Sequence, residues 1–224
     1  MGFFMQTIVA REVSLYELES RFQLEAIDRE FIETLLVGAT EITAEEQKTL
    51  DRIRHNYQSL LRYGNLSEES VKMVVLSYLL DLAGLYEPPC RIVTEYAVRV
   101  TAEDEGFQVR GEIDVLALMD RLWIVVIESK GTCFDVMSAL PQLLSYMLGN
   151  PDRSPPPERA EPIMTYGLLM NGREFAFVEL DESGFPKSRY SVSQTFSINK
   201  PVTDLPIVLQ ILKQLRDRIV KDYV

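Results

Sequence analysis

Hydrophobic positions in the first part of the chain recur at helical spacing and form two stripes. Thr43 with Glu46 has the spacing of a capping box, and Ser67 is a suitable N-cap for a second helix that ends near Gly84. The apolar positions are Leu50, Ile53, Tyr57, Leu60 and Leu61 in the first helix, and Val71, Val74, Val75, Tyr78, Leu79 and Leu82 in the second. Residues 12–63 are predicted to be helical, so that residues 1–65 form a helical N-terminal extension.

From about residue 90 onward the pattern changes to apolar or alternating runs that are typical of β-strands. These runs cover 91–100, 107–119, 122–130, 163–170, 174–180 and 189–196, with helices predicted at 135–148 and 205–221. A hairpin at Asp120-Arg121 makes the central strands antiparallel, and the helix at 135–148 favours a parallel step to the next strand. The order predicts an α/β (α+β) fold, with a mixed central β-sheet flanked by helices in a domain of residues 66–224.

Length and composition set the broad class of the protein. The 224 residues can bury a sizeable core in one domain with an appended element. No apolar run approaches the roughly 20 residues that cross a bilayer, and the N-terminus lacks the basic region of a signal peptide. Cys90 and Cys133 do not have metal-ligand spacing. We therefore expect reduced thiols in a cytoplasmic protein without a membrane partner.

The candidate chemistry lies on two adjacent predicted strands. Asp114 interrupts an apolar run, where an acid costs free energy to bury unless it has a partner. Side chains alternate along a strand, so Glu128 and Lys130 share one face, with Cα atoms about 6.6 Å apart. Asp114 and Glu128 can hold a divalent cation, and Lys130 can stabilise charge on a phosphate. The alternative is structural, because acids and lysines at strand ends often only mark where solvent begins.

Two helices add further polar groups to this set. Gln142 and Tyr146 lie four residues apart on one helix face and can orient a phosphate, a base or the carboxylates. Such a pair is also ordinary at a half-exposed helix surface. Glu68 continues the inward stripe of the second helix, where it can reach the site or simply complement the dipole of the first helical turn. The residues alone leave these alternatives open.

The net charge of −11 bears on the expected partner. Phosphate backbones are bound mainly through Lys and Arg, so an acidic chain should bind duplex DNA weakly unless a local basic patch overrides the average. The residues that can form such a patch are Arg91, Arg99, Arg110 and Lys130 near the site, and Arg153 and Arg159 in the loop beyond it.

In chain order, Asp114, Glu128-Ser129-Lys130 and the pair Gln142 and Tyr146 resemble the motifs of the PD-(D/E)XK nuclease superfamily. More closely, residues 66–180 are similar to the nuclease domain at the N-terminus of the motor (R) subunit of type I restriction enzymes, and to small stand-alone proteins of that kind. The matching segments are LSEESVKMVVLSYLLDLAG, VRGEIDVLAL, WIVVIESKG, PQLLSYMLGNP and YGLLMNGREFAF. The chain has no G-x-x-x-x-G-K-[ST] phosphate loop, so it is not expected to translocate on DNA by itself.

This resemblance implies a restriction-endonuclease-like core in residues 66–224 and a site for Mg²⁺ or Mn²⁺. The implied metal ligands are Asp114, Glu128, Glu68 and the backbone carbonyl of Ser129. The implied catalytic residues are Asp114, Glu128, Lys130 and Glu68, with Gln142 and Tyr146 positioning the substrate.

Two functions are compatible with these residues. The first is a Mg²⁺-dependent endodeoxyribonuclease that hydrolyses phosphodiester bonds of DNA. RNA stays open as a substrate, because the metal chemistry does not use the 2′-hydroxyl. The second is a catalytically silent nuclease-fold module that binds nucleic acid or a protein partner. The N-terminal helices can mediate a homodimer, and a motor or recognition subunit can be a separate chain.

Overall fold

A computed structural model describes residues 6–102, 106–119, 122–150, 164–183 and 187–221. In chain order the elements are β1 (Gln6–Val9), α1 (Leu15–Arg21), β2 (Leu24–Ala26), α2 (Phe31–Leu36), α3 (Ala44–Leu61), α4 (Glu68–Val71), α5 (Ser77–Leu82), β3 (Cys90–Ala102), β4 (Phe107–Met119), β5 (Leu122–Ser129), α6 (Leu140–Met147), β6 (Met164–Met170), β7 (Glu174–Asp181), β8 (Ser188–Val192), β9 (Phe196–Ser197) and α7 (Leu205–Lys221). A π-helical turn (Lys72–Leu76) joins α4 to α5, and short 3-10 helices cover Ala10–Glu12 and Val136–Ala139.

The strands form one mixed sheet in the order β1-β4-β5-β6-β7-β8-β2, with β3 paired to β4 and β9 paired to β7. The pair β4 and β5 is antiparallel, and β5 is parallel to β6 across the helix α6. Both predictions for the central strands are therefore confirmed. The turn at Asp120-Arg121 and the loop that carries Arg153 and Arg159 lie outside the described residues.

Helices cover both faces of this sheet. Because side chains alternate along β4, Val115 and Ala117 pack into one core with α3, α5 and α7, whereas Leu116 and Leu118 pack into the other core with α1 and α6. Burial of apolar surface on both faces holds the layers together. The predicted fold, a mixed sheet flanked by helices, is confirmed.

The N-terminal segment differs from its prediction. Helices α1, α2 and α3 are present, but β1 pairs in parallel with β4 and β2 pairs in parallel with β8. The prediction that residues 12–63 are helical is therefore wrong at β2, whereas β1 lies before the predicted helical stretch. A strand of three or four residues is too short to show a period of two, and its pairing depends on sheet partners that lie far along the chain. The division at residue 65 stays a prediction.

The helix starts are confirmed. Thr43 and Glu46 form the reciprocal hydrogen bonds of a capping box, and the Ser67 hydroxyl accepts from the backbone N–H of Ser70. The π-helical turn was not predicted. Among the described residues, no helix is long and apolar enough to cross a membrane.

The start of α3 is tied to α7 by a charge pair, which gives a prediction for stability. The ammonium of Lys213 contacts the Glu46 carboxylate, and both side chains are mostly buried. Burial alone would raise the pKa of Glu46, but the hydrogen bonds from Lys213 and Thr43 outweigh it and hold the pKa below its ordinary value of 4.5. A carboxyl whose pKa is lowered by folding stabilises the protein above its ordinary pKa. That stabilisation is lost as the pH falls through the folded value.

We expect Glu46→Gln to reduce the free energy of unfolding by about 1 kcal/mol at neutral pH, since Gln keeps the capping hydrogen bond but removes the charge. Urea unfolding should show the difference shrinking as the pH is lowered toward about 3. Glu45→Gln, in the same helical turn, is the control and should have little effect. If Glu46→Gln reduced the free energy of unfolding equally at neutral pH and at about pH 3, the stabilising ion pair of Glu46 with Lys213 would be contradicted.

Candidate active site

The candidate site lies at a break in the sheet. On one side, β4 pairs with β1 as far as Arg110 and with β5 only from Val115 onward. Within the described residues, positions 111–114 therefore have no strand partner on that side. The side chains of β4 and the end of β5 can meet across this break without a backbone ladder between them.

Asp114 is at one end of the break and joins the two strands through its side chain. Its Oδ2 accepts a hydrogen bond of 2.8 Å from the backbone N–H of Ser129, which lies beyond the last β4–β5 partner pair. On its other side β4 pairs with β3, and Glu95 of β3 lies opposite Asp114, between two residues that pair with Val115 and Ile113. Glu95 has a φ of 53°. A non-glycine residue in this left-handed region stores strain, which is common beside functional sites.

Glu128 is the most deeply buried acid of the site, with 1% of its side chain exposed. Its Oε1 accepts a hydrogen bond from Lys130, whereas its Oε2 is buried without a hydrogen-bond partner among the described residues. Burial, reinforced by the negative charge of Asp114 and opposed by Lys130, raises the pKa of Glu128 to about 8. A buried carboxylate oxygen without a donor is costly, and a cation beside Asp114 would compensate it. These two acids therefore fit a divalent metal.

Lys130 begins a chain of hydrogen bonds that reaches α6. Its Nζ donates to Gln142 Oε1 at 3.3 Å, and Gln142 Nε2 donates to the Tyr146 hydroxyl at 2.9 Å. Burial raises the pKa of Tyr146, so its hydroxyl stays protonated. The amide of Gln142 is thus fixed at both ends, and it restricts where the ammonium of Lys130 can lie.

Lys72 is a site residue that the sequence reasoning missed. It opens the π-helical turn, and its Nζ lies 2.6 Å from Glu68 Oε1 and 3.3 Å from Asp114 Oδ1. Burial would lower the pKa of Lys72, but the two carboxylates outweigh this and raise it. The i, i+4 spacing of Glu68 and Lys72 was a visible signal for their ion pair. The contact with Asp114 depends on where β4 lies, which the spacing does not show.

The structure therefore brings together Asp114, Glu128, Lys130, Gln142 and Tyr146, and it places Glu68 at the edge of this group through Lys72. In the part of the chain that is described, no group of three or more His, Cys, Asp or Glu side chains is arranged to hold a metal ion. Glu112, a further acid on the same face of β4 as Asp114, is exposed. The carbonyl of Ser129 stays a predicted ligand.

Comparison with known proteins adds no family to this description: the chain matches no protein-family model and no curated protein.

The close packing of α6 on the break generates a prediction. A Cβ atom at Gly111 would lie 2.8 Å from Tyr146 Cε1 and 2.9 Å from Ala10 Cβ. We expect Gly111→Ala to destabilise the protein by about 1–3 kcal/mol, because the ring of Tyr146 must move. The melting temperature should fall by roughly 2–4 °C per kcal/mol. Adding Ala10→Gly should restore part of the loss, and an unchanged melting temperature in the single variant would contradict the packing.

Proposed function

We propose that this protein is a metal-dependent nuclease that hydrolyses phosphodiester bonds of DNA with a PD-(D/E)XK site. The observation that carries the proposal is the arrangement at the sheet break. Two carboxylates, one of them buried with an oxygen that lacks a donor, lie beside a lysine that a glutamine and a tyrosine hold in place. A salt bridge with a purely structural role at a strand end requires neither a buried carboxylate oxygen without a donor nor the hydrogen bonds that connect Lys130 to Gln142 and Tyr146.

Asp114 and Glu128 are the proposed ligands of Mg²⁺ or Mn²⁺, with the backbone carbonyl of Ser129 as a further oxygen donor. Such a cation, when bound, polarises the scissile phosphate and lowers the pKa of a coordinated water. The hydrogen bond from the Ser129 N–H fixes Oδ2 of Asp114, so that the carboxylate is already oriented before any ligand arrives. Fixed ligands reduce the reorganisation that binding would otherwise require.

Lys130 is the positively charged side chain that we propose to be catalytic. Its ammonium lies next to Glu128 and can donate to a phosphate oxygen on which negative charge grows during hydrolysis. Gln142 and Tyr146 act as positioning residues, because they hold the ammonium rather than reach the reacting atoms. Glu68 acts on Asp114 through Lys72 in this arrangement.

The resemblance to the nuclease domain of type I restriction R subunits suggests a biological setting. We propose DNA as the substrate, with RNA open, and a separate motor or recognition subunit as a partner. A homodimer through the N-terminal segment belongs to the same proposal.

A second candidate function is a silent nuclease-fold module that binds nucleic acid or protein. The observation that favours it is Lys72, whose ammonium already neutralises Glu68 and Asp114. Carboxylates that are satisfied by a lysine have less need of a metal ion.

Metal-dependent cleavage decides between these two candidates. We expect the protein to cut supercoiled plasmid or linear single-stranded DNA with Mg²⁺ or Mn²⁺ but not with EDTA. Lys130→Ala and Asp114→Ala should each lower the rate by about 10²-fold or more, because each removes a group that acts on the developing charge or its metal. The rate is measured by gel electrophoresis.

Lys48→Ala, at an exposed lysine of α3, is the matched control and should keep the wild-type rate. Circular dichroism should show that every variant is folded. If Lys130→Ala cleaved DNA at the wild-type rate, the cleavage would not take place at this site. A wild type that neither cuts nor binds metal would favour the silent module.

The role of Lys72 gives a separate prediction for metal binding. Titration calorimetry with Mn²⁺ should show that Asp114→Asn and Glu128→Gln each weaken binding by at least about tenfold, because each removes a charged ligand. Glu68→Gln should change the affinity much less, since Glu68 contacts Lys72. Glu69→Gln, at the exposed neighbouring acid, is the control. A loss in Glu68→Gln as large as that in Asp114→Asn would make Glu68 a direct ligand.

A further inference from the structure

A cleft of about 730 Å³ opens at the other end of the sheet break. Residues 9–11 of the N-terminal segment form one wall, and 97–99 of β3 with 110–112 of β4 form the other. Gln142 and Tyr146 line the side that faces the candidate site. Since Gln142 also accepts a hydrogen bond from Lys130, a residue that lines the cleft is in direct contact with the proposed catalytic lysine.

Three arginines line this cleft: Arg11, Arg99 and Arg110. Arg99 and Arg110 are direct partners in the antiparallel ladder of β3 and β4, and both are exposed. Like charges directly opposite each other across two strands are destabilising. Within the described residues, neither guanidinium forms an ion pair or a side-chain hydrogen bond. The one ion pair of Arg11 with another described residue is a 3.9 Å contact to the neighbouring Glu12.

We propose that this cleft binds the sugar–phosphate backbone of a single nucleic-acid strand and guides it to Lys130. Phosphates between the three guanidinium groups would remove their mutual repulsion and form charge-assisted hydrogen bonds. The direction of the strand toward Lys130 rests on the proposed nuclease function, whereas the binding itself can be measured without cleavage.

The size of the cleft favours one strand over a duplex. Its volume is within the roughly 300–1,000 Å³ of small-ligand sites, which suits a few nucleotides of one strand. A duplex also presents one negative charge per about 1.7 Å of its axis, against about 3.4 Å for each of its strands. The chain carries a net charge of −11, so a duplex lying across its surface would meet more repulsion than a single strand inside the cleft.

Glu112 provides an internal test of this inference. It lines the same cleft and is exposed, and its partner across the ladder is Ala97. Its negative charge opposes phosphate binding at this position. Removal of that charge should therefore strengthen binding, whereas removal of the arginines should weaken it. A general loss of folding cannot produce these opposite signs.

The experiment is fluorescence anisotropy in EDTA, with a labelled 12-nucleotide DNA strand, the same strand as RNA, and the DNA duplex, over a range of KCl concentrations. Wild type should prefer the single strand to the duplex and bind DNA and RNA strands similarly. Arg99→Ala with Arg110→Ala should weaken single-strand binding about tenfold. The slope of log affinity against log salt should become shallower by about 1.4, which is 0.7 for each phosphate that an arginine no longer neutralises. Glu112→Gln should bind more tightly.

Lys48→Ala with Arg62→Ala is the matched control, because it removes the same charge from exposed positions in and directly after α3, on the other face of the sheet. It should leave affinity and salt slope unchanged. Equal weakening in this control would overturn the proposal, since net charge alone would then explain the effect. Preference for the duplex, or displacement of the strand by inorganic phosphate at millimolar concentration, would also overturn it. Arginine-dependent strand binding by a protein that neither cuts nor binds metal would support this inference and contradict the nuclease.

Discussion

The hydrogen bond from the Ser129 N–H to the Asp114 carboxylate holds the centre of this structure together. It joins β4 and β5 where their backbone ladder has ended, so a side chain replaces a main-chain partner. A buried N–H without an acceptor would be costly, so the acid at this position has a structural use as well as a chemical one. The same carboxylate contacts Lys72 through its other oxygen and therefore also links β4 to the π-helical turn between α4 and α5. Contacts from β4 to the end of β5 and to Lys72 thus meet at one side chain.

The negative charges of the carboxylates in the candidate site are not fully compensated by the neighbouring lysines. Two ammonium groups, Lys72 and Lys130, meet three carboxylates, and one oxygen of Glu128 is left buried without a donor. The raised pKa of Glu128 has the same cause, because burial and the charge of Asp114 both disfavour a second negative charge there. A fold that only needed to be stable would gain from an apolar residue at this position. A cation bound beside Glu128 would compensate this buried charge, which is why we propose Glu128 as a metal ligand.

Much of the fold could be predicted because its signals are local. The bounds of β4 at 107–119 agree with the alternating run in the sequence, and the caps at Thr43 and Ser67 identify their helices. The group of Asp114, Glu128, Lys130, Gln142 and Tyr146 was predictable for a related reason, since these residues lie on consecutive elements around a hairpin and a crossover helix. What could not be predicted depends on distant partners. The strands β1 and β2 acquire their conformation from β4 and β8, and Lys72 acquires its second carboxylate from a strand that the helical pattern does not place.

The break in strand pairing along β4 also explains how a chain with a negative net charge can present positive charge beside the candidate site. Because β4 pairs with β1 only as far as Arg110 and with β5 only from Val115 onward, the break exposes one edge of β4 and leaves room for a cleft beside the acids. The N-terminal segment contributes Arg11 to that cleft, so residues before position 66 help to build it. Net charge acts over distances that salt screens within about 8–10 Å, whereas guanidinium groups in a cleft act at contact distance. A charge of −11 therefore keeps polyanions away from most of the surface and increases the contrast with this one opening. The overall acidity and the local basic cleft are consistent with each other, since under the proposed function they would together direct a single strand to one place.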